Sequence, residues 1–196
     1  MSKKKVKCVN YQSTNEEDSL WKDTHAEILA LDSLLISGHE KGQVACIPRN
    51  NKKDTIDLAL KVLLNVLIVQ KKSVGFFGSK FTNGQIVEKL LLMHTGISKE
   101  DFSRKEVICE KWEKILAFSQ YLETADLYLY SDEHLDLVKI LPTTDSLAMK
   151  GKLDFLIIHI ADHIDDTPFL KILQITAESL NIDIVVAVYE SNTSEK

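Results

Sequence analysis

The sequence predicts an α/β fold, a mostly parallel sheet of about five strands with helices on both faces. Strand-length apolar runs recur along the chain, VACIP, VGFF, LYLY, FLIIHI and IVVAV, and they are continuous rather than alternating, as in sheets covered on both sides. Segments with helical apolar spacing separate them, which gives the strand-helix alternation of βαβ units. The connections are long enough to cross the sheet in the usual right-handed sense.

Composition bounds the rest. A chain of 196 residues suits one domain with a substantial core. Its 44% apolar and 27% charged residues exclude disorder over most of the length. The net charge is −5 with scattered lysines, so no basic face announces nucleic acid, and nucleic-acid binding is left open. The three cysteines, Cys8, Cys46 and Cys109, form no CxxC pair, which points to a reducing, cytoplasmic setting rather than a disulfide framework. MSKKKVK is followed by polar CVNYQ instead of an apolar signal core, and no run approaches the roughly 20 residues of a membrane span. Neither export nor membrane association is expected.

Taken in order, residues 1–18 read as a polar tail. Residues 19–41 read as a helical arm, with Leu20, Trp21, Ile28, Leu29, Leu31, Leu34 and Leu35 at helical spacings and Gly38 ending it. The domain proper is expected over 42–191, followed by a tail at 192–196. Val44 to Pro48 is the first strand. Thr55 is placed to cap a helix to Gln70 that is apolar on most of its circumference and therefore central. Val74 to Phe77 is the next strand. Thr82 and Gln85 have the spacing of a capping box for the helix that stops near Gly96. Ser98 and Asp101 suggest a short helical start, and Trp112, Ile115, Leu116, Phe118 and Leu122 form the apolar face of a helix ending near Glu123. Leu127 to Tyr130 is the third strand. A helix broken before Pro142 and a short one around Leu147 are expected next. Phe155 to Ile160 is the fourth strand, Thr167-Pro168 starts a helix that Asn181 ends, and Ile184 to Val188 is the fifth.

These residues resemble the RecA-like ATPase domain of bacterial replicative DNA helicases, the DnaB family, in degenerate and truncated form. LDSLLISGHEKGQVACIP resembles the family's lead-in and first strand, with Gly42 and Gln43 in the places of its Gly-Asp pair. VGFFGSKFTNGQIVEKLL is similar to its second strand, acidic turn and helix. Residues 97–129 resemble its following helical stretch and strand, FLIIHIADHI its Walker B strand, and ITAESLNIDIVVAVYES the next helix and strand. The resemblance implies a RecA-like fold of the P-loop NTPase type.

The family's functional residues do not carry over. A phosphate loop needs glycine so that consecutive N–H groups face the phosphates, then a lysine and a hydroxyl for the phosphates and Mg²⁺. On the gapless register those places hold Asp54, Thr55 and Ile56. A carboxylate near a polyphosphate is repelled by about 4 kcal/mol per charge pair at roughly 4 Å and intermediate dielectric. Lys80 stands where the family has its water-activating glutamate, and His159 where it has the Walker B aspartate. The family's later strands with the arginine finger, and its mobile DNA-tracking loop, have no counterpart up to Lys196.

Other residues carry weaker signals. Arg49, Lys52 and Lys53 precede a helix start and are anion candidates, against a plain solvated loop. His159 and His163, beside Asp162, Asp165 and Asp166, have metal-ligand chemistry on paper, against a polar loop at the sheet's edge. Cys46 is expected to be a small buried hydrophobe, and Trp112, Phe118 and Tyr121 have the spacing of a helix face rather than a base-stacking platform. The expectation is a catalytically inactive RecA-like domain without cofactor. It would act by protein–protein interaction, through self-association or a replication partner, with Trp21, Ile28 and Leu31 of the arm as contacts, because the family docks a linker helix there onto the adjacent subunit. The alternatives are an ATP-binding replicative helicase and a metal-dependent enzyme using His159 and His163.

Overall fold

A computed structural model describes residues 7–8, 41–49, 52–104, 109–161 and 167–189. The arm residues Trp21, Ile28 and Leu31, and His163 with Asp162, Asp165 and Asp166, lie outside the described residues. The elements are β1 (Lys7–Cys8), β2 (Val44–Arg49), α1 (Lys52–Leu64), a π-helical turn (Asn65–Val69), β3 (Val74–Gly78), α2 (Asn83–Thr95) and α3 (Lys99–Arg104). There follow α4 (Cys109–Thr124), β4 (Leu127–Ser131), α5 (Leu137–Met149), β5 (Phe155–Ala161), α6 (Thr167–Leu180) and β6 (Asp183–Tyr189).

The sheet order is β1-β2-β6-β5-β3-β4 and every pairing is parallel. The five strands from Val44 onward are those the apolar runs mark. A sixth, β1, lies inside the stretch expected to be a polar tail, and pairs Lys7 with Ala45 and Cys8 with Cys46 at the sheet edge.

Alternate strand residues feed two cores. Ala45, Ile47, Val74, Phe76, Phe155, Ile157, Val185 and Ala187 pack with α1, α2 and α4 (Leu60, Leu63, Ile86, Leu90, Phe118). Val44, Cys46, Phe77, Leu156, Ile158, Ile184 and Val186 pack with α5 and α6 (Ile140, Leu173, Ala177). Both strand faces are thereby covered, which is why the runs are continuously apolar.

Local signals behave as their chemistry demands. Thr82 Oγ1 accepts from Gln85 N–H at 3.2 Å while Gln85 Oε1 accepts from Thr82 N–H at 2.9 Å, closing the capping box. Gly96 takes a left-handed φ of 65° at the end of α2, and Asn181 one of 55° after α6. Ser98 Oγ accepts from Asp101 N–H at the head of α3.

Two expectations need correction. Thr55 is not a cap, because α1 begins at Lys52 and Thr55 is fully buried inside it. The helix also ends as α at Leu64, where the π turn takes over. Nor does Pro142 break its helix, since α5 runs through it from a cap at Asp136, whose side chain accepts from Lys139 N–H. Pro142 is exposed and so is Val138, the residue whose carbonyl loses its partner, so this side of the helix faces solvent, which can satisfy that carbonyl.

At the amino edge of the sheet, the buried Asp183 carboxylate accepts from the Gly42 and Gln43 N–H groups. Burial pushes its pKa up, and these N–H groups with the nearby Lys72 and Lys41 only partly offset that. A carboxyl raised in the folded state contributes most below the unfolded pKa, and its contribution falls as pH rises through the folded one. Asp183→Asn, which keeps an acceptor without the charge, is therefore expected to be as stable as wild type or more so at pH 7. That advantage should vanish below about pH 4. Asp183→Ala should cost about 1–3 kcal/mol at either pH. Urea unfolding at the two pH values checks both.

Candidate functional site

In an open parallel sheet a ligand crevice lies at the carboxyl ends of the strands, where neighbouring connections leave on opposite faces. Here α1 leaves β2 on one face and α6 leaves β5 on the other, with β6 between them. The crevice therefore falls at Arg49, Tyr189 and Ala161, which share one level of the register, and at the loop after β3.

His159 sits just below that level, paired in register with Gly78 on β3 and Ala187 on β6. By strand alternation it shares the face of Phe155 and Ile157, the face that α1 covers. Its imidazole is fully buried. The Tyr189 ring stacks on it at 4.7 Å between centroids and 19° between planes, and Phe81 lies against it at 5.8 Å. Tyr189 hydroxyl and Ser79 Oγ are 3.0 Å apart, and the Ser79 N–H donates to the His159 carbonyl at 3.0 Å. Ser79 and Tyr189 are both buried. The ends of β3, β5 and β6 are thus knitted by one aromatic and hydroxyl cluster.

Gly78, paired in register with His159, is tightly packed. The Phe76 ring leans over Gly78, where an added Cβ would come 2.8 Å from Phe76 Cε1. Gly78→Ala is expected to lose about 1–3 kcal/mol by overpacking, read as a lowered thermal midpoint.

The other sequence candidates scatter. Thr55 and Ile56 are fully buried in the first turns of α1, Ile56 within the core. Arg49 ends β2, and Lys52, Lys53 and Asp54 open α1, leaving residues 50–51 between strand and helix. The side chains of Arg49, Lys52, Lys53 and Asp54 lie outside the described residues. Lys80 is exposed on a left-handed φ of 63°, outside the buried cluster. Cys46 is buried and Cys109 exposed. Phe118 is buried and Tyr121 hydroxyl donates to the Leu67 carbonyl of the π turn at 2.8 Å, so these two are used for packing, whereas Trp112, beside Phe102, is 40% exposed.

Among the described residues no group of three or more His, Cys, Asp or Glu is placed to hold a metal ion. Mg²⁺ takes oxygen donors and keeps part of its water shell. A buried imidazole between aromatic rings does not fit it. Tyr189, Ser79 and Phe81 are the site residues that the sequence reading missed. Tyr189 closes the IVVAV run at the carboxyl end of a strand, and that aromatic in that place was the available signal.

The DnaB-like helicase C-terminal domain family matches residues 25–182. The chain belongs to that family. A probable plasmid replicative DNA helicase of Chlamydia trachomatis serovar L2 is 25% identical over 118 residues, 60% of this chain and 26% of the relative. Its counterpart in Chlamydia muridarum is 31% identical over 80 residues, 41% of this chain and 18% of the relative. The chain thus spans about a quarter of the length of the first of these helicases. Among solved structures, the ATPase domain of another protein superposes with a TM-score of 0.64 at 14% identity, covering 92% of this chain and 73% of that one. A DnaB-like replicative helicase described with its interactions with primase gives 0.64 at 12% identity, covering 91% and 49%. These structural likenesses show a shared fold. No helix among the described residues is long and apolar enough to cross a membrane.

Proposed function

We propose that this chain is a catalytically inactive, helicase-like RecA-fold domain that acts by protein–protein interaction in DNA replication or its regulation. The observation that carries the reading is the burial of His159 beneath Tyr189 and Phe81. At the place that the resemblance gives to the family's metal-holding aspartate stands a buried imidazole packed against two rings, which offers no oxygen donor to Mg²⁺. Asp54, Thr55 and Ile56 in the phosphate-loop places, and Lys80 in the glutamate's place, support the same conclusion.

A groove of about 850 Å³ between α1 with its π turn and α2 supports the interaction half of the proposal. Leu64, Ile68, Phe81, Leu92 and Met93 line it together with Val69, which is 71% exposed. Its rim carries the Lys89–Asp57 ion pair at 2.7 Å. A helix with apolar residues at helical spacing suits such a groove, and Trp21, Ile28 and Leu31 have that spacing in the sequence. The partner is a domain of the same fold, a second copy or a helicase subunit, that presents the same groove.

Titration calorimetry with ATP and Mg²⁺ tests the inactive site. No heat of binding is expected, and micromolar affinity would instead support the ATP-binding helicase that the plasmid relatives suggest. Metal analysis of the purified protein tests the remaining alternative, an enzyme built on His159 and His163. Size-exclusion with light scattering should show a complex that Trp21→Ala weakens at least tenfold, and a strict monomer that captures no DnaB-like domain overturns the partner assignment.

A further inference from the structure

We propose that the last turn of the central helix is a two-register element, and that the Tyr121 hydroxyl holds it in the π register that shapes the mouth of the α1–α2 groove. The turn reads NVLIV, and its β-branched Val66, Ile68 and Val69 give the α register little intrinsic advantage. Its hydrogen bonds belong to the π form. Gln70 N–H donates to the Asn65 carbonyl at 3.3 Å, and Gln70 Nε2 to Asn65 Oδ1 at 3.1 Å. Residues at that separation stand about 140° apart around an α-helix, so this side-chain pair forms only where the turn is wider. Lys71 then takes a left-handed φ of 53°. After an α-helix so ended, the Lys72 N–H would return to the Leu67 carbonyl. Here it reaches one residue further, to the Val66 carbonyl at 3.2 Å, and the Leu67 carbonyl accepts from the Tyr121 hydroxyl at 2.8 Å instead.

Tyr121 thus stands in for a backbone donor, and it does so from α4, a separate element. The register is therefore a tertiary choice rather than a local one. It also carries a cost, since Gln70 Oε1 is buried with no hydrogen-bond partner among the described residues. A turn held by a remote hydroxyl against such a cost has a second arrangement within reach, in which Lys72 N–H recovers the Leu67 carbonyl and the turn closes to α. The groove registers the difference. Asn65, Ile68 and Val69 of the turn line it together with Leu92 and Met93 of α2, and Val69 is 71% exposed. Closing the turn rotates Ile68 and Val69 about the helix axis and withdraws them from that wall. Tyr121 is a positioning residue for the groove whatever fills it, so the inference does not rest on the interaction proposed above.

Tyr121→Phe removes the hydroxyl and keeps the ring that stacks on Phe118 at 6.0 Å. In isotope-labelled full-length protein, N–C′ couplings across hydrogen bonds should join Gln70 to Asn65 and Lys72 to Val66. In Tyr121→Phe they should move to Val66 and Leu67 respectively. Asn65→Ala, which removes the side-chain pair and leaves Tyr121 in place, should keep the wild-type coupling pattern. The apolar dye anilinonaphthalene sulfonate probes the groove, followed by the amide shifts of Leu92 and Met93. Its affinity should fall about threefold or more in Tyr121→Phe, the scale of one hydrogen bond. Couplings that stay in place in Tyr121→Phe overturn the latch, as does a π register lost in Asn65→Ala. Leu92 and Met93 amides that ignore the dye, or equal affinity in the two proteins, overturn the link between register and groove.

Discussion

Tyr189→Ala is expected to destabilise the domain by about 3–5 kcal/mol, the range for deleting a fully buried aromatic ring. Tyr189 is 1% exposed, covers the His159 ring and meets Ser79 Oγ with its hydroxyl, so truncation uncovers one group and unpairs contacts of the other. Against a total stability of roughly 5–15 kcal/mol the loss is severe. In a chain of this length it corresponds to a fall in thermal midpoint of roughly 10 °C. Tyr189→Phe keeps the stack and removes only the hydroxyl, for about 0.5–1.5 kcal/mol. Calorimetric melting of the three proteins separates ring from hydroxyl. Adding Mg²⁺ and ATP should restore nothing, because a ligand raises the midpoint only when the native state binds it. A midpoint that ATP raises in the alanine variant alone would mean that the ring is a removable cover over a working site.

The fold was legible because its signals are local and redundant. Each strand from Val44 onward announced itself by a continuous apolar run, and the Thr82–Gln85 box and Gly96 fixed the ends of α2 through their own side-chain and backbone chemistry. The errors arose where a local rule met a tertiary condition. Pro142 obeys the rule against proline only when the carbonyl it orphans is buried, and exposure of that side of α5 cannot be read from residues 137–149 alone. Thr55 has a cap's chemistry, but the helix continues past it to Lys52 because the residue faces the core. Of the site, His159 was singled out by its place in the FLIIHI strand, and it lies buried near the carboxyl end of β5. What surrounds it was not legible, because Ser79, Phe81, His159 and Tyr189 come from the ends of three strands and meet only once β6 inserts between β2 and β5. No spacing along the chain encodes that meeting.

His159→Asp installs the carboxylate that the proposed reading assigns to the family at this position, and provides the sharper test of that reading. If His159 were the only defect, the substitution would restore a metal ligand at little cost. The structure predicts the opposite. The new carboxylate would lie at a fully buried position, beneath the Tyr189 and Phe81 rings and between Gly78 and Ala187. Burying a charge costs several kcal/mol unless it is well paired, and the shorter side chain also leaves a void under the rings. A loss of about 3–5 kcal/mol at pH 7.5 is expected. Burial pushes the new carboxyl's pKa up, so its folded value exceeds its unfolded one, and the penalty grows as pH rises through the folded value and shrinks as pH falls. Urea unfolding should therefore find the deficit against wild type clearly smaller at pH 5 than at pH 7.5. A variant as stable as wild type at pH 7.5, or one that Mg²⁺ stabilises, would show that Tyr189 yields and that the cluster is a latent metal site. A deficit that low pH relieves and Mg²⁺ does not would support the proposed reading, in which this buried position beneath the rings does not hold a metal ion.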